Sequence, residues 1–171
     1  SPPPTIVQAT PQIAPTSGGE TGGGSLTFDG TPTNGTAILA AGFAPDPNTI
    51  DISAGGNVDI RAQGLGDSLC RGFSGSNPDY RVSYAGGGTL LRFFFVSRER
   101  RDDTTMLIRM PSGEILCHDD FPGALNPLID IFSPPAGNYD IWVGVYNPGT
   151  PIEGTLYITA STTIDPTTER K

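Results

Sequence analysis

Turn-forming residues interrupt this chain so regularly that its apolar segments stay short. Between residues 26 and 160, apolar runs alternate with Pro111-Ser112-Gly113, Pro122-Gly123, Pro135-Ala136-Gly137-Asn138 and Asn147-Pro148-Gly149. Glycine supplies backbone conformations other residues resist, and proline ends any hydrogen-bonded segment that needs its N–H. The 23 glycines and 17 prolines make up nearly a quarter of the 171 residues, and inside the body they fall between the runs. No segment shows a convincing helical period. Short strands separated by turns predict an all-β protein, an antiparallel β-sandwich or jelly roll.

The expected strands are Leu26–Phe28, Ala37–Ala41, Asn57–Ala62, Tyr80–Tyr84, Thr89–Ser97, Met106–Met110, Ile115–Cys117, Leu128–Phe132, Tyr139–Tyr146 and Gly154–Ala160. Tyr139–Tyr146 shows the two-residue period of a strand. Tyr139, Ile141, Val143 and Val145 share one face, and Asp140, Trp142, Gly144 and Tyr146 share the other. Leu90–Val96 is almost continuously apolar, as in a central strand covered on both faces.

Three regions follow. Residues 1–25 form a Pro/Gly-rich arm and linker, 26–160 the sandwich, and 161–171 a polar tail. Within the arm, Thr5, Val7, Ala9, Pro11 and Ile13 fall on one face of a candidate strand at 5–13, with proline tolerable only at an edge. About 25 extended residues span up to roughly 80 Å. A body of this size is only about 35–40 Å across. The arm can therefore reach a neighbouring molecule's sheet edge, and strand addition would make the chain a homo-oligomer or polymer.

The net charge is −8 and the only lysine is Lys171. Nucleic-acid binding needs a basic surface, so that class is set aside, and anionic membrane surfaces with it. No run approaches the ~20 apolar residues of a membrane span. Divalent cations are the partners such a surface favours.

Cys70 and Cys117, if bridged, would close a loop of about 48 residues, worth roughly 4 kcal/mol in chain entropy. Two free buried thiols are the alternative. The bridge is the expectation, and with it an oxidising compartment, extracellular or at the cell surface. The sequon Asn34-Gly35-Thr36 marks Asn34 as a candidate glycosylation acceptor.

From Asp46 to Ile158 the chain resembles the bacterial pre-peptidase C-terminal (PPC-like) domains. The likeness is carried by Cys70-Arg71-Gly72-Phe73, Pro78-Asp79-Tyr80-Arg81-Val82, Leu91-Arg92-Phe93-Phe94, Asp103-Thr104-Thr105-Met106-Leu107-Ile108, Pro111-Ser112-Gly113, Cys117-His118-Asp119-Asp120, Asn126-Pro127-Leu128-Ile129 and Gly137-Asn138-Tyr139-Asp140-Ile141-Trp142-Val143-Gly144. The resemblance implies a jelly-roll fold, export, a Cys70–Cys117 bridge and a non-catalytic accessory role. Arg98-Glu99-Arg100-Arg101-Asp102 departs from the pattern as a charged insertion.

The strongest site candidate is acidic. A hairpin through Pro111-Ser112-Gly113 runs its two strands antiparallel, which brings Asp103 beside Asp119 and Asp120, with Asp102 as a further candidate. Clustered carboxylates repel unless a cation neutralises them, and an all-oxygen set suits calcium. Asp residues that cap turn N–H groups are the simpler alternative. Catalysis finds little support: His118 is the only histidine, and on a regular strand Cys117 points to the opposite face from it. Tyr80, Tyr84, Trp142, Tyr146 and Tyr157 could form a sugar-stacking surface, or could be core.

Two functions follow. The first is a non-enzymatic secreted structural subunit that assembles a filament or surface layer through its arm. The alternative is an accessory module of a secreted enzyme that binds calcium, a carbohydrate or a protein.

Overall fold

The structure, a computed structural model, describes residues 24–170. The candidate assembly residues Thr5, Val7, Ala9, Pro11 and Ile13 lie outside that range.

The described chain is all-β, built as two packed sheets. Its strands are β1 (Thr36–Leu39), β2 (Asn48–Ala54), β3 (Val58–Asp59), β4 (Phe73–Ser74), β5 (Tyr80–Tyr84), β6 (Leu90–Ser97), β7 (Thr104–Arg109), β8 (Ile115–His118), β9 (Leu128–Phe132), β10 (Gly137–Val145) and β11 (Ile152–Thr159). A single 3₁₀ turn, Arg61–Gln63, follows β3. In the four-stranded sheet the order is β2-β11-β6-β9. In the seven-stranded sheet β10 pairs with β5, β4 and β7; β5 carries β1, β4 carries β3, and β7 carries β8. All pairs are antiparallel except β1–β5. Among the described residues no helix is long and apolar enough to cross a membrane.

The main core lies between the sheets. Tyr139, Ile141, Val143 and Val145 of β10 meet Leu91, Phe93 and Phe95 of β6 there, as the two-residue period requires. The opposite face of β10 is also covered. Trp142 packs with Leu107, Val58, Ile60, Leu26 and both cysteines in a second cluster on the outer side of the seven-stranded sheet. Its indole N–H donates to the Ser76 carbonyl at 3.0 Å, which satisfies the buried polar atom.

This second cluster explains where the expected strands differ from the observed ones. Leu26–Phe28 is not a strand. It lies over the sheet as a cap, with Phe28 edge-on to Trp142 at 5.8 Å. Asn57–Ala62 shortens to β3 and the 3₁₀ turn, because Val58 and Ile60 are drawn into the same cluster. β2 and β4 were not among the expected strands.

β6 is buried at all eight positions. One face meets the other sheet, while residues 161–170, expected as a polar tail, return toward the strand. The Arg92 guanidinium anchors them. It forms two hydrogen bonds to the Asp130 carboxylate, at 2.7 and 2.9 Å, and donates to the carbonyls of Thr162 and Ile164, both at 3.0 Å. Further along, Arg170 reaches the buried Asn126 Oδ1 at 2.8 Å.

Close packing also produces a first prediction. A Cβ on Gly144 would stand 2.7 Å from Thr105 Oγ1 and 3.1 Å from the Phe73 carbonyl. Gly144→Ala should therefore cost about 1–3 kcal/mol, as overpacking generally does. Urea denaturation checks this; an unchanged midpoint would show that the β10–β4 approach is looser than described.

Candidate metal centre

The hairpin expected through Pro111-Ser112-Gly113 forms. β7 and β8 pair from Arg109↔Ile115 to Met106↔His118, and Met110 N–H bonds to the Glu114 carbonyl at 2.8 Å. Continuing that register beyond His118 sets Asp119 opposite Thr105, and Asp103 lies two residues before Thr105 on the same face. Asp103, Asp119 and Asp120 each bring one carboxylate oxygen within 4.8 Å of the others. Asp102 is not in that group; it sits in the preceding turn, its N–H bonded to the Glu99 carbonyl at 3.0 Å.

The covalent frame around this cluster is the Cys70–Cys117 disulfide, with Cα atoms 5.0 Å apart. It holds Arg71 and Asp119 near one another. Arg71 Nη1 lies 3.6 Å from Asp119 Oδ2 and donates to the Tyr146 hydroxyl at 3.3 Å, with the guanidinium 5.5 Å from the Tyr146 ring centre. Tyr146 is tied in turn to the acidic cluster, since its N–H donates to the Asp103 carbonyl at 3.0 Å.

Two of the carboxylates have raised pKa values, by burial first and by their neighbours second. Burial pushes Asp103 up to about 6, and repulsion from Asp120 and Asp119 adds to it, against the pull of Arg71. Asp119 is raised as well, by burial first and Asp120 second, opposed by Arg71 and His118. Asp103 Oδ1 and Asp119 Oδ1 are both buried without a hydrogen-bond partner. So is Thr105 Oγ1, on a residue only 1% exposed. Buried polar atoms in folded proteins are ordinarily paired, and an ion or a water on the cluster would pair the two orphaned Asp oxygens. A hard cation of the calcium class fits this donor set, which is all oxygen and contains three carboxylates.

Other candidate chemistry is absorbed by the fold. Cys117 is in the disulfide, so neither thiol is available as nucleophile or zinc ligand. His118 Nδ1 accepts the Leu128 N–H at 3.2 Å. Of the five aromatic candidates, Trp142, Tyr80 and Tyr84 are buried and Tyr157 stacks on Phe94 at 4.7 Å; Tyr146 stays 37% exposed. Asn34 is exposed, and its amide donates to the Asp79 carbonyl at 3.1 Å.

Beside the carboxylates lies a hollow of about 270 Å³, lined by Asp59, Arg61, Arg71, Gly72, Tyr146 and Asn147 among others. Arg71 is not a site candidate from the sequence, and Tyr146 is only one of five aromatic candidates there. Their approach depends on a disulfide and on contacts between residues 75 apart, which no local pattern displays.

No protein-family model matches the chain, and no curated protein does. Among solved structures, it is similar to the pre-peptidase C-terminal domain of a collagenase from Bacillus anthracis, with a TM-score of 0.40 and 11% identity, over 76% of this chain and 98% of that one. A score and identity of that size describe a resemblance and not membership of a family.

Proposed function

We propose that the chain is a non-catalytic binding module of the oxidising, extracytoplasmic environment, with one rim organised by a calcium-class cation on Asp103, Asp119 and Asp120. The observation that carries this reading is the pair of buried, unpartnered oxygens, Asp103 Oδ1 and Asp119 Oδ1, in a cluster of three carboxylates within 4.8 Å. A capped turn would leave those oxygens bonded to N–H groups. The disulfide supports the compartment, since such bonds persist where thiols are not kept reduced. The only histidine accepts a backbone N–H and both cysteines are bridged, which leaves the familiar nucleophile–base pairs without members. The self-assembly expectation rests on Thr5–Ile13, outside the described residues, and the geometry here favours the binding module.

Thermal melting tests the reading. At a hundredfold excess over Kd, a cation that binds only the folded state adds about 2.7 kcal/mol. For a domain of this size that is a rise of roughly 5–10 °C in Tm. Calcium should produce that rise and a chelator should remove it. Asp103→Asn with Asp119→Asn should abolish the response while raising the melting temperature in chelator, because the repulsion is gone. A wild-type Tm indifferent to both calcium and chelator would refute the proposal.

A further inference from the structure

We infer that the 270 Å³ hollow beside the carboxylates is a binding site for a carboxylated sugar (a uronate), read jointly by Arg71, Tyr146 and the cation. This rests on the cation-binding reading above, and adds to it a ligand class and a coupling.

The hollow is built around Arg71. Gly72 has a φ of +96°, and a Cβ there would lie 2.5 Å from Thr105 Oγ1 and 2.9 Å from the Val145 carbonyl. Only glycine lets the backbone lie this close to the strand, and that approach seats Arg71 between the carboxylates and the hollow. Arg71 Nε donates to the Ser68 carbonyl at 3.3 Å, which holds the planar guanidinium in place. Its Nη1 divides between the Tyr146 hydroxyl at 3.3 Å and Asp119 Oδ2 at 3.6 Å.

The lining identifies the ligand chemistry. Tyr146 gives a half-open aromatic ring against which the C–H face of a sugar can lie. Asp59 and Asn147 supply acceptors and donors for hydroxyls, and Arg61 and Arg71 supply guanidinium forks that match a carboxylate. A phosphomonoester brings close to two negative charges to a lining that includes Asp59, where a carboxylate brings one. An acidic peptide offers the carboxylate without the ring face or the hydroxyls. A uronate residue meets all three sets of groups with a single charge.

The coupling follows from Arg71's position. Without a cation the guanidinium is the counter-charge of Asp119. A divalent ion on Asp119 replaces it in that role, which releases Nη1 from Asp119 to the hollow that Arg71 already lines. Each ligand then strengthens the other, since coupling between two sites is reciprocal.

Calorimetric titration with a galacturonic acid trimer, its methyl ester and a triaspartate peptide tests this, each in calcium and in chelator. The trimer should bind in calcium, at least tenfold more weakly in chelator, and at least tenfold more tightly than its ester or the peptide. Arg71→Gln should weaken the trimer at least tenfold while strengthening calcium, two opposite signs that misfolding cannot produce together. Tyr146→Ala should weaken the trimer and leave calcium within threefold, and exposed Arg61→Gln should weaken the trimer without touching the fold. Calcium binding with no preference for the free trimer would overturn the uronate site and leave the cation reading intact. Absence of calcium binding would overturn the cation reading and the coupling. The hollow would then stand only if the trimer still bound in chelator and lost affinity in Arg71→Gln.

Discussion

Converting both cysteines to alanine is expected to lower the unfolding free energy by about 4 kcal/mol, the chain-entropy value for a loop of this length, and to weaken calcium binding at least tenfold. The two effects have one origin. Cys70–Cys117 fastens the loop after the 3₁₀ turn to β8 across a sequence separation of 47. Arg71 follows one cysteine directly and Asp119 comes two residues after the other. Both half-cystines are also members of the outer cluster around Trp142, so cutting the bridge loosens the cap over that face. Urea titration with parallel calcium titrations measures both quantities. A loss under 1 kcal/mol, with calcium affinity intact, would show that the fold positions Asp119 without the bridge.

The second large effect concerns a residue that belongs to neither the carboxylate cluster nor the hollow. Asp79 is 8% exposed, its Oδ2 accepts the Val143 N–H at 2.7 Å, and burial raises its pKa to about 7. A carboxyl raised in the folded state is protonated there while the unfolded chain has already ionised, so stability falls as pH rises. The decline begins near pH 4, the unfolded value, and levels off above about 7. At 1.36 kcal/mol for each pKa unit, its full extent is about 4 kcal/mol. Asp79→Asn keeps an oxygen for the Val143 N–H and removes the charge. Its advantage over wild type should be near zero at pH 4 and should grow to as much as about 4 kcal/mol by pH 8. Chemical denaturation across that range checks it, and a variant less stable than wild type at pH 8 would mean that the ionised carboxylate is the form the fold requires.

Asp79 illustrates what a sequence displays and what it conceals. It stands beside Tyr80–Tyr84, whose alternation is plain, yet nothing local shows that its carboxylate will meet a β10 amide 64 positions away. β10 was legible because large apolar side chains carried its period, and β6 because its apolar run is almost unbroken. β2 has the same alternation, with Ile50, Ile52 and Ala54 on one face, but Asn48, Asp51 and Ser53 are poor strand formers and disguised it. Leu26–Phe28 misled in the opposite direction. Its apolar residues serve a cap over Trp142, and a pattern of hydrophobicity does not say which surface it covers.

The same division runs through the candidate site. Asp103 and Asp119 could be brought together on paper because a hairpin turn sets their register, a short-range property. Arg71 enters only through the bridge, and Tyr146, one of five aromatic candidates, is joined to the site only through contacts with Arg71 and the Asp103 backbone, which are long-range. The exposed aromatic was also hard to single out. Five candidates looked alike in sequence, and packing buried three of them.

The most direct test of the central claim is a calorimetric calcium titration of the whole chain beside its Asp119→Asn variant. One ion bound per chain, with that binding lost in the variant, is the predicted result. No binding heat in the wild type across a range of temperatures, or equal binding in both proteins, would contradict it.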